Sequence, residues 1–553
     1  MPAKTQLESL YDFEERRKDD RWLVQPMGGG VVKELTFGQA MDEARRMASH
    51  LKSLGLPDKS NIAIFSKNTA WWLMADIAIW MAGHVSVPLY PVLTPETIGQ
   101  IIEHSEAKLI FIGKLDGFPA MQPGIPKALP QITLPLAPKV EGAQSWETLI
   151  AAQKPLEGKP VRPATDLATI VYTSGSTGVP KGVMHTFATM IASDGLAERL
   201  GVVPTDRMLS YLPLAHVFER TVVQTGSFLR GFTIFFAQSL ETFVEDLKRA
   251  RPTLFVSVPR LWLKFQAGVF DKMPPKKLDR MLSIPILGTI VRKKVLKGLG
   301  LDAVRFAGSG SAPIPAEVIN WYRRLGLELL EGYGMSENFS YSHMTRPGAV
   351  RVGYVGSVQD GVEARIGDGG EIQVKSPCTM LGYYKAPEMT AEMLTPDGFL
   401  KTGDQGEVDE KGNLKITGRV KELFKTSKGK YVAPSPIENR LLGHPDVEQA
   451  CVSGAGMGQP FGLLVLSMKA RNQLESAGAK ARLEAELKLH LTAINKTLDP
   501  HEQLETVVVL SEEWTTENGM LAPTLKLRRG AIEKKYNDRV NGWYGEKKEV
   551  LWA

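Results

Sequence analysis

Residues 169–187 read TIVYTSGSTGVPKGVMHTF. An apolar, β-branched run leads into glycine, serine and threonine, with a single lysine, Lys181, just beyond. Small residues let a backbone approach a ligand closely, and hydroxyls with free N–H groups suit an oxygen-rich anion. A phosphate chain fits that chemistry. The P-loop template fails, because Lys181 stands between Pro180 and Gly182 rather than before Ser or Thr, and Pro180 disfavours helix in the residue ahead of it. The segment reads as a hairpin flap whose Ser174, Ser176, Thr177 and amides wrap a polyphosphate. A Ser/Gly linker is the bland alternative, and the strand before it and the amphipathic segment after it argue against that. A second glycine–serine stretch, GSGSAP at 308–313, lacks the third glycine of the dinucleotide fingerprint, which argues against a Rossmann dehydrogenase.

The elements that must position these residues alternate. NIAIFS (61–66), KLIFIG (108–113), LATIVYT (167–173) and LFVSVP (254–259) are short β-like runs, separated by longer periodic segments such as FGQAMDEARRMASHLKSLG. That alternation predicts an α/β fold with largely parallel sheets. Residues 118–165, rich in Pro and Ala, read as a long surface excursion. Near residue 365 the pattern shifts to short strands with glycine turns, EIQVKSP and GNLKITGRVKELFK, as in an antiparallel barrel-like piece. After residue 418 a small α+β unit begins, with strands at EQACVSG, GLLVLSM and ETVVVLS. Its helix shows Leu483, Leu487, Leu491, Ile494 and Leu498 on one face. The expected domains are 1–418 and a small mobile unit, 419–553.

At 553 residues the chain is too long for one core. Its 43% hydrophobic and 23% charged content is that of a globular protein, and a net +6 is too small to indicate a nucleic-acid partner. Two isolated cysteines, Cys378 and Cys451, have no metal-ligand spacing and fit a reducing cytoplasm. The first residues are too charged for a signal peptide. TAWWLMADIAIWMAG, 69–83, is too short to span a bilayer and is broken by Asp76, so it reads as a buried helix. Residues 272–297 interleave Lys and Arg with Met, Leu and Ile. They read as a solvated face or as a peripheral contact on the inner membrane surface. A homodimer is equally open.

The glycine-rich loop, YLPLAHVFER (211–220), GSGSAP, EGYGMSE (331–337), KTGD (401–404), GRVKELFK (418–425) and PTLKLRR (523–529) together resemble the adenylate-forming superfamily. Seven motifs stand in the family order over about 360 residues. PLAHVFER, VPRLW and NGMLAPTLKLRR are most similar to the long-chain acyl-CoA synthetase branch. The resemblance implies two half-reactions. A carboxylate attacks the α-phosphate of ATP, giving acyl-AMP and pyrophosphate, and the thiol of coenzyme A then displaces AMP. It implies a fatty, medium- to long-chain acid as substrate, ATP and coenzyme A as cosubstrates, and Mg²⁺.

By the same resemblance Thr173, Ser174, Gly175, Ser176, Thr177, Gly178 and Lys181 would hold the β- and γ-phosphates. Gly310, Ser311, Ala312, Gly332 and Gly334 would line the nucleotide site, with Tyr333 stacked on adenine. Ser336 would donate to the α-phosphate and Glu337 would ligate Mg²⁺. Asp404 would accept the ribose hydroxyls, helped by Arg419. Lys526 would bridge the carboxylate and the α-phosphate, and His216 would lie beside that carboxylate. Lys421 falls at the family hinge and Gly429 on the thiol tunnel of the second state. Val217 and Phe218 are candidates for the acyl tunnel. There are departures. The family's Thr-His pair is Thr186-Phe187 here, with His185 shifted earlier. Arg220 stands where some bacterial long-chain enzymes place a tunnel-gating Trp, and Phe399 replaces the Trp before TGD. Three other readings remain at this stage: an acyl-AMP ligase serving a carrier-protein thiol, a coenzyme A ligase for an aromatic or ring-bearing acid, and a non-catalytic adenylate-binding scaffold.

Overall fold

The computed structural model describes residues 4–174, 180–522 and 526–553. Its largest sheet has eight strands in the order Gly382–Tyr383, Pro180–Thr186, Leu167–Ser174, Val85–Leu89, Asn61–Phe65, Leu109–Ile112, Gln131–Thr133, Gln144–Ser145. Six of these run parallel, from Leu167–Ser174 to Gln144–Ser145. The two strands at the other edge are antiparallel. A parallel sheet covered on both faces needs strands without a polar side, and Asn61–Phe65 and Val85–Leu89 are buried at every position. Helix Ala70–Met81 is likewise buried throughout and packs on Phe37–Ser53, whose start is closed by a capping box between Thr36 and Gln39.

A second layer joins two sheets. The first is Arg207–Ser210, Thr233–Phe236, Arg21–Gly28, Val31–Thr36 in spatial order, and the second begins Leu254–Ser257, Phe306–Ser309, Leu329–Tyr333. They meet where Thr253 N–H donates to the Arg207 carbonyl. The expected antiparallel piece is a four-stranded sheet of Glu363–Ile366, Glu371–Lys375, Leu400–Val408 and Leu414–Arg419. Beyond it, Val447–Ser453, Phe461–Leu466, Val507–Leu510 and Val550–Trp552 form the C-terminal sheet. Helix Ala479–Asn495 covers it with Leu483, Leu487, Leu491 and Ile494 buried, as expected.

One reading needs correction. Residues 118–165 are not simply a surface excursion. Gln131–Thr133 and Gln144–Ser145 add two strands to the large sheet, and Trp146 is fully buried against Phe111. The proline-rich stretches between them masked two strands of only three and two residues.

The Asp76 that interrupts the apolar helix has a partner. Its carboxylate accepts from Arg220 Nη2 at 2.9 Å and from the Gln224 amide, and both ionic side chains are wholly buried. The guanidinium also lies over Trp72 and Trp80. Arg220 opens a π-helical turn, Arg220–Thr225, which the pair anchors to helix Ala70–Met81. Arg220→Ala leaves an unpaired buried carboxylate and lowers stability by about 3–5 kcal/mol in urea unfolding. The double substitution Asp76→Asn, Arg220→Met, which strands neither charge, recovers most of that loss.

Candidate functional site

In parallel α/β sheets ligands gather beyond the carboxyl ends of the strands. Here those ends converge. Strand Leu329–Tyr333 delivers Gly332, Tyr333 and Gly334, strand Phe306–Ser309 delivers Gly310, Ser311 and Ala312, and the hairpin arms Leu167–Ser174 and Pro180–Thr186 deliver Thr173 and Lys181. All eight line one cavity of about 4380 Å³ that runs into the cleft between the large unit and the C-terminal sheet. Gly334 is required by contact, since a Cβ there would sit 2.6 Å from the backbone of Ser340.

Two polar clusters occupy the cavity wall. In the first, Tyr333 Oη donates to Asp404 Oδ2 at 2.7 Å and Arg419 Nε donates to Asp404 Oδ1 at 2.9 Å. Asp404 and Arg419 face each other in the antiparallel register of Leu400–Val408 and Leu414–Arg419, so strand pairing sets their approach. In the second, Tyr383 Oη donates to Glu337 Oε1 at 2.7 Å and Lys181 Nζ stands 5.6 Å from the Tyr383 ring centre. The Met380 N–H fixes Glu337 further by donating to its carbonyl, and Ser336, one residue earlier, also lines the cavity.

The C-terminal unit contributes Lys526. Its carbonyl accepts from the Ala522 N–H, and its side chain lines the cleft that also holds His216, Asp404 and Glu337. Desolvation by the protein groups around it lowers its pKa below the ordinary lysine value, although the side chain keeps an exposed face toward the open cleft. Arg419 adds to this, and Asp404, Glu337 and Glu422 oppose it.

Residues 11–384 match the AMP-binding enzyme family, and residues 422–548 match the AMP-binding enzyme C-terminal domain. The chain belongs to the AMP-binding enzyme family. The long-chain-fatty-acid–CoA ligase FadD15 of Mycobacterium bovis is 30% identical to it, over 97% of this chain and 96% of its own. Long-chain-fatty-acid–CoA ligase 1 of Homo sapiens is 29% identical, over 92% and 82% respectively. Among solved structures, the adenylation domain of a carboxylate reductase from Mycobacterium chelonae superposes with a TM-score of 0.83 at 23% identity, covering 99% of this chain and 92% of that one. A benzoate CoA ligase from Burkholderia xenovorans superposes at 0.75 and 23% identity, covering 96% and 99%. At that identity the superpositions establish the fold.

Within this AMP-binding enzyme the remaining sequence-derived positions divide. Lys421 lines the cleft. Gly429 does not; it is an exposed turn residue with φ +74° in the hairpin between Phe424–Lys425 and Tyr431–Val432. Gly175, Ser176, Thr177 and Gly178 lie outside the described residues. Phe218 lines the cavity, whereas Val217 is buried in the core away from it. Arg220 is no tunnel gate, because Asp76 holds it inside the core. His185 is buried, donates from Nε2 to the Ser336 carbonyl at 2.8 Å and packs on Phe339. Phe187, in the family's histidine place, fills the core against Trp80.

Three site residues escaped the sequence reading. Tyr383 is brought to Glu337 by pairing of Gly382–Tyr383 with Val183 and Met184, about two hundred residues earlier, which no local signal announces. Glu331 lies inside a quoted motif, and burial pushes its pKa up to about 8 while Oε2 has no partner. Glu219, in PLAHVFER, accepts from Ser210 Oγ and the Tyr211 N–H and is also raised to about 8 by burial. It ties the His216 turn to strand Arg207–Ser210.

His216 Nδ1 accepts from the Phe218 N–H at 3.1 Å, which places the ring proton on Nε2. Burial, reinforced by Lys526, lowers its pKa to about 4. The ring is therefore a neutral donor at neutral pH. In an NMR titration of ring-labelled histidine, the His216 resonance stays neutral until about pH 4, whereas a free histidine charges near 6.5.

Proposed function

We propose that this AMP-binding enzyme activates a medium- to long-chain fatty acid as acyl-AMP and transfers the acyl group to coenzyme A. The observation that carries the reading is the meeting of Lys526 with His216, Glu337 and Asp404 at the mouth of a cavity that continues into apolar walls. Leu196, Val202, Met208, Val222 and Phe232 are among the residues there. The names of the curated relatives agree with a long-chain acid, and the matched family agrees with adenylation.

In the first half-reaction a carboxylate oxygen bonds to the α-phosphorus as the bond to pyrophosphate breaks. Two anions must be brought together, so cations and aimed donors do most of the work. Lys526 is a flexible point charge placed to contact both the carboxylate and the α-phosphate. Neutral His216 donates from Nε2 without adding a proton to be lost. Ser336 and Lys181 face the phosphate side, with Thr173, Ser174 and Gly175 to Gly178 as the flap. Tyr333 offers its ring to adenine, between Gly310–Ala312 and Gly332–Gly334, and Asp404 with Arg419 takes the ribose. Glu337 suits Mg²⁺, because Tyr383 engages Oε1 and leaves Oε2 for the ion, and one carboxylate plus phosphate oxygens is an ordinary Mg²⁺ donor set. When bound, Mg²⁺ neutralises charge on the phosphates.

In the second half-reaction the thiol sulfur bonds to the acyl carbon, AMP leaves and the thiol proton passes to solvent. Residues 419–553 turn on the 1–418 body at Lys421, withdrawing Lys526 and bringing Gly429 to the thiol. The ties across the cleft suit this motion. Arg260 pairs with Glu448 and Lys469 with Asp271, and both are solvent-exposed pairs of the kind that contribute little.

Incubation with ATP, Mg²⁺ and a panel of acids, followed by mass spectrometry, gives acyl-CoA only when coenzyme A is present. Acyl-AMP accumulating regardless of coenzyme A refutes coenzyme A as acceptor. Lys526→Ala lowers pyrophosphate release about a hundredfold or more while preformed acyl-AMP still yields thioester. For the native enzyme, adenylation declines as pH rises through a lysine pKa below the usual value, because that titration removes the ammonium.

A further inference from the structure

Helices Pro259–Lys272, Pro275–Ser283 and Pro285–Leu299 form one wall of the cavity, with Leu278, Met281, Val291 and Val295 facing it. The outer side of the last two is unusual in both charge and exposure. Residues 272–299 hold eight Lys and Arg against one acid, Asp279, a net +7 that exceeds the +6 of the whole chain. Asp279 itself is taken by Arg324 of a neighbouring helix. Among the described residues, Lys276, Lys277, Arg280, Arg292, Lys293 and Lys297 enter no ion pair.

A solvated basic face would hide its apolar residues, and this one does not. Ile284 is 46% exposed, Ile286 80% and Ile290 58%. Ile286, Ile290, Lys293 and Lys297 follow a 4–3–4 spacing, so they share one stripe of helix Pro285–Leu299, apolar at its start and cationic toward its end. Nucleic acid offers the anion without a place for isoleucine. An anionic lipid surface offers both, phosphates for the cations and an apolar layer beneath them.

We infer that the helical pair 275–299 docks the protein on an anionic membrane surface, with Ile284, Ile286 and Ile290 entering the interface and the Lys and Arg residues held by lipid phosphates. No helix among the described residues is long and apolar enough to cross a membrane, so the attachment is peripheral. The helices that touch lipid on one side wall the cavity on the other, which places a membrane-dissolved acid next to its binding site. That last consequence rests on the fatty-acid reading; the docking itself does not.

Cosedimentation of the full chain with phosphatidylcholine vesicles, with and without one-third phosphatidylglycerol, is the test. Binding is expected only to the anionic vesicles and falls with salt. Lys293→Gln with Lys297→Gln lowers vesicle affinity about thirtyfold, and Ile286→Ser with Ile290→Ser also weakens it, while thermal unfolding shows both variants folded. With these variants, activity on a water-soluble acid such as octanoate is unchanged and activity on vesicle-dissolved palmitate falls. Three outcomes overturn the proposal: no binding of the native protein, binding by both variants as tight as that of the native protein, or retention on heparin without vesicle binding, which marks a soluble polyanion partner. Vesicle binding without turnover of any fatty acid refutes the substrate reading and leaves the docking surface standing.

Discussion

The site depends on how the Asp404 carboxylate is shared. One oxygen takes the Tyr333 hydroxyl from the end of a parallel strand, and the other takes Arg419, the last residue of the half-barrel sheet before the chain enters its C-terminal unit. A single side chain thus joins two sheets and the junction to a third. A carboxylate can do this because it offers several acceptor positions and no donor. Its two bonds leave lone pairs to spare, so a ligand hydroxyl can join without first breaking the contacts that hold the wall in place.

The cavity gathers charge of both signs, and the balance sets what each group can do. Lys526 is brought by a separate unit into a space already holding Glu337, Asp404 and Arg419. Desolvation makes its ammonium easier to neutralise, and the carboxylates restrain that tendency. His216 is shifted in the same direction, by desolvation and by Lys526. Beside a cation, it gains no proton at neutral pH, so it accepts at Nδ1 from the Phe218 N–H and keeps Nε2–H to donate.

Much of this was legible in the residue order, for physical reasons. Strands buried on both faces must be continuously apolar, so Asn61–Phe65 and Leu109–Ile112 stood out. The C-terminal helix showed its leucine stripe because it covers one sheet with one face. Backbone approach to a ligand demands small residues in a row, and of the stretches that this singled out Gly310, Ser311 and Ala312 line the cavity. What stayed hidden was set by pairing at long range. Tyr383 reaches Glu337 because two short strands meet across the chain, and Arg220 disappears into the core because Asp76, on a distant helix, awaits it. Strands of two or three residues at 131–133 and 144–145 carry too few positions to show a period.

The edge of the large sheet has a consequence for synthesis. Pro180–Thr186 is completed only by Gly382–Tyr383. Its other edge pairs with Leu167–Ser174, so a chain emerging from the ribosome carries one open strand edge until about two hundred further residues have followed, a span of roughly ten seconds or more at ordinary elongation rates. An open edge of that kind invites pairing with other nascent chains. The proline at the start of Pro180–Thr186 and the lysine after it blunt that edge while the strand waits, so two residues that line the cavity also serve the birth of the fold.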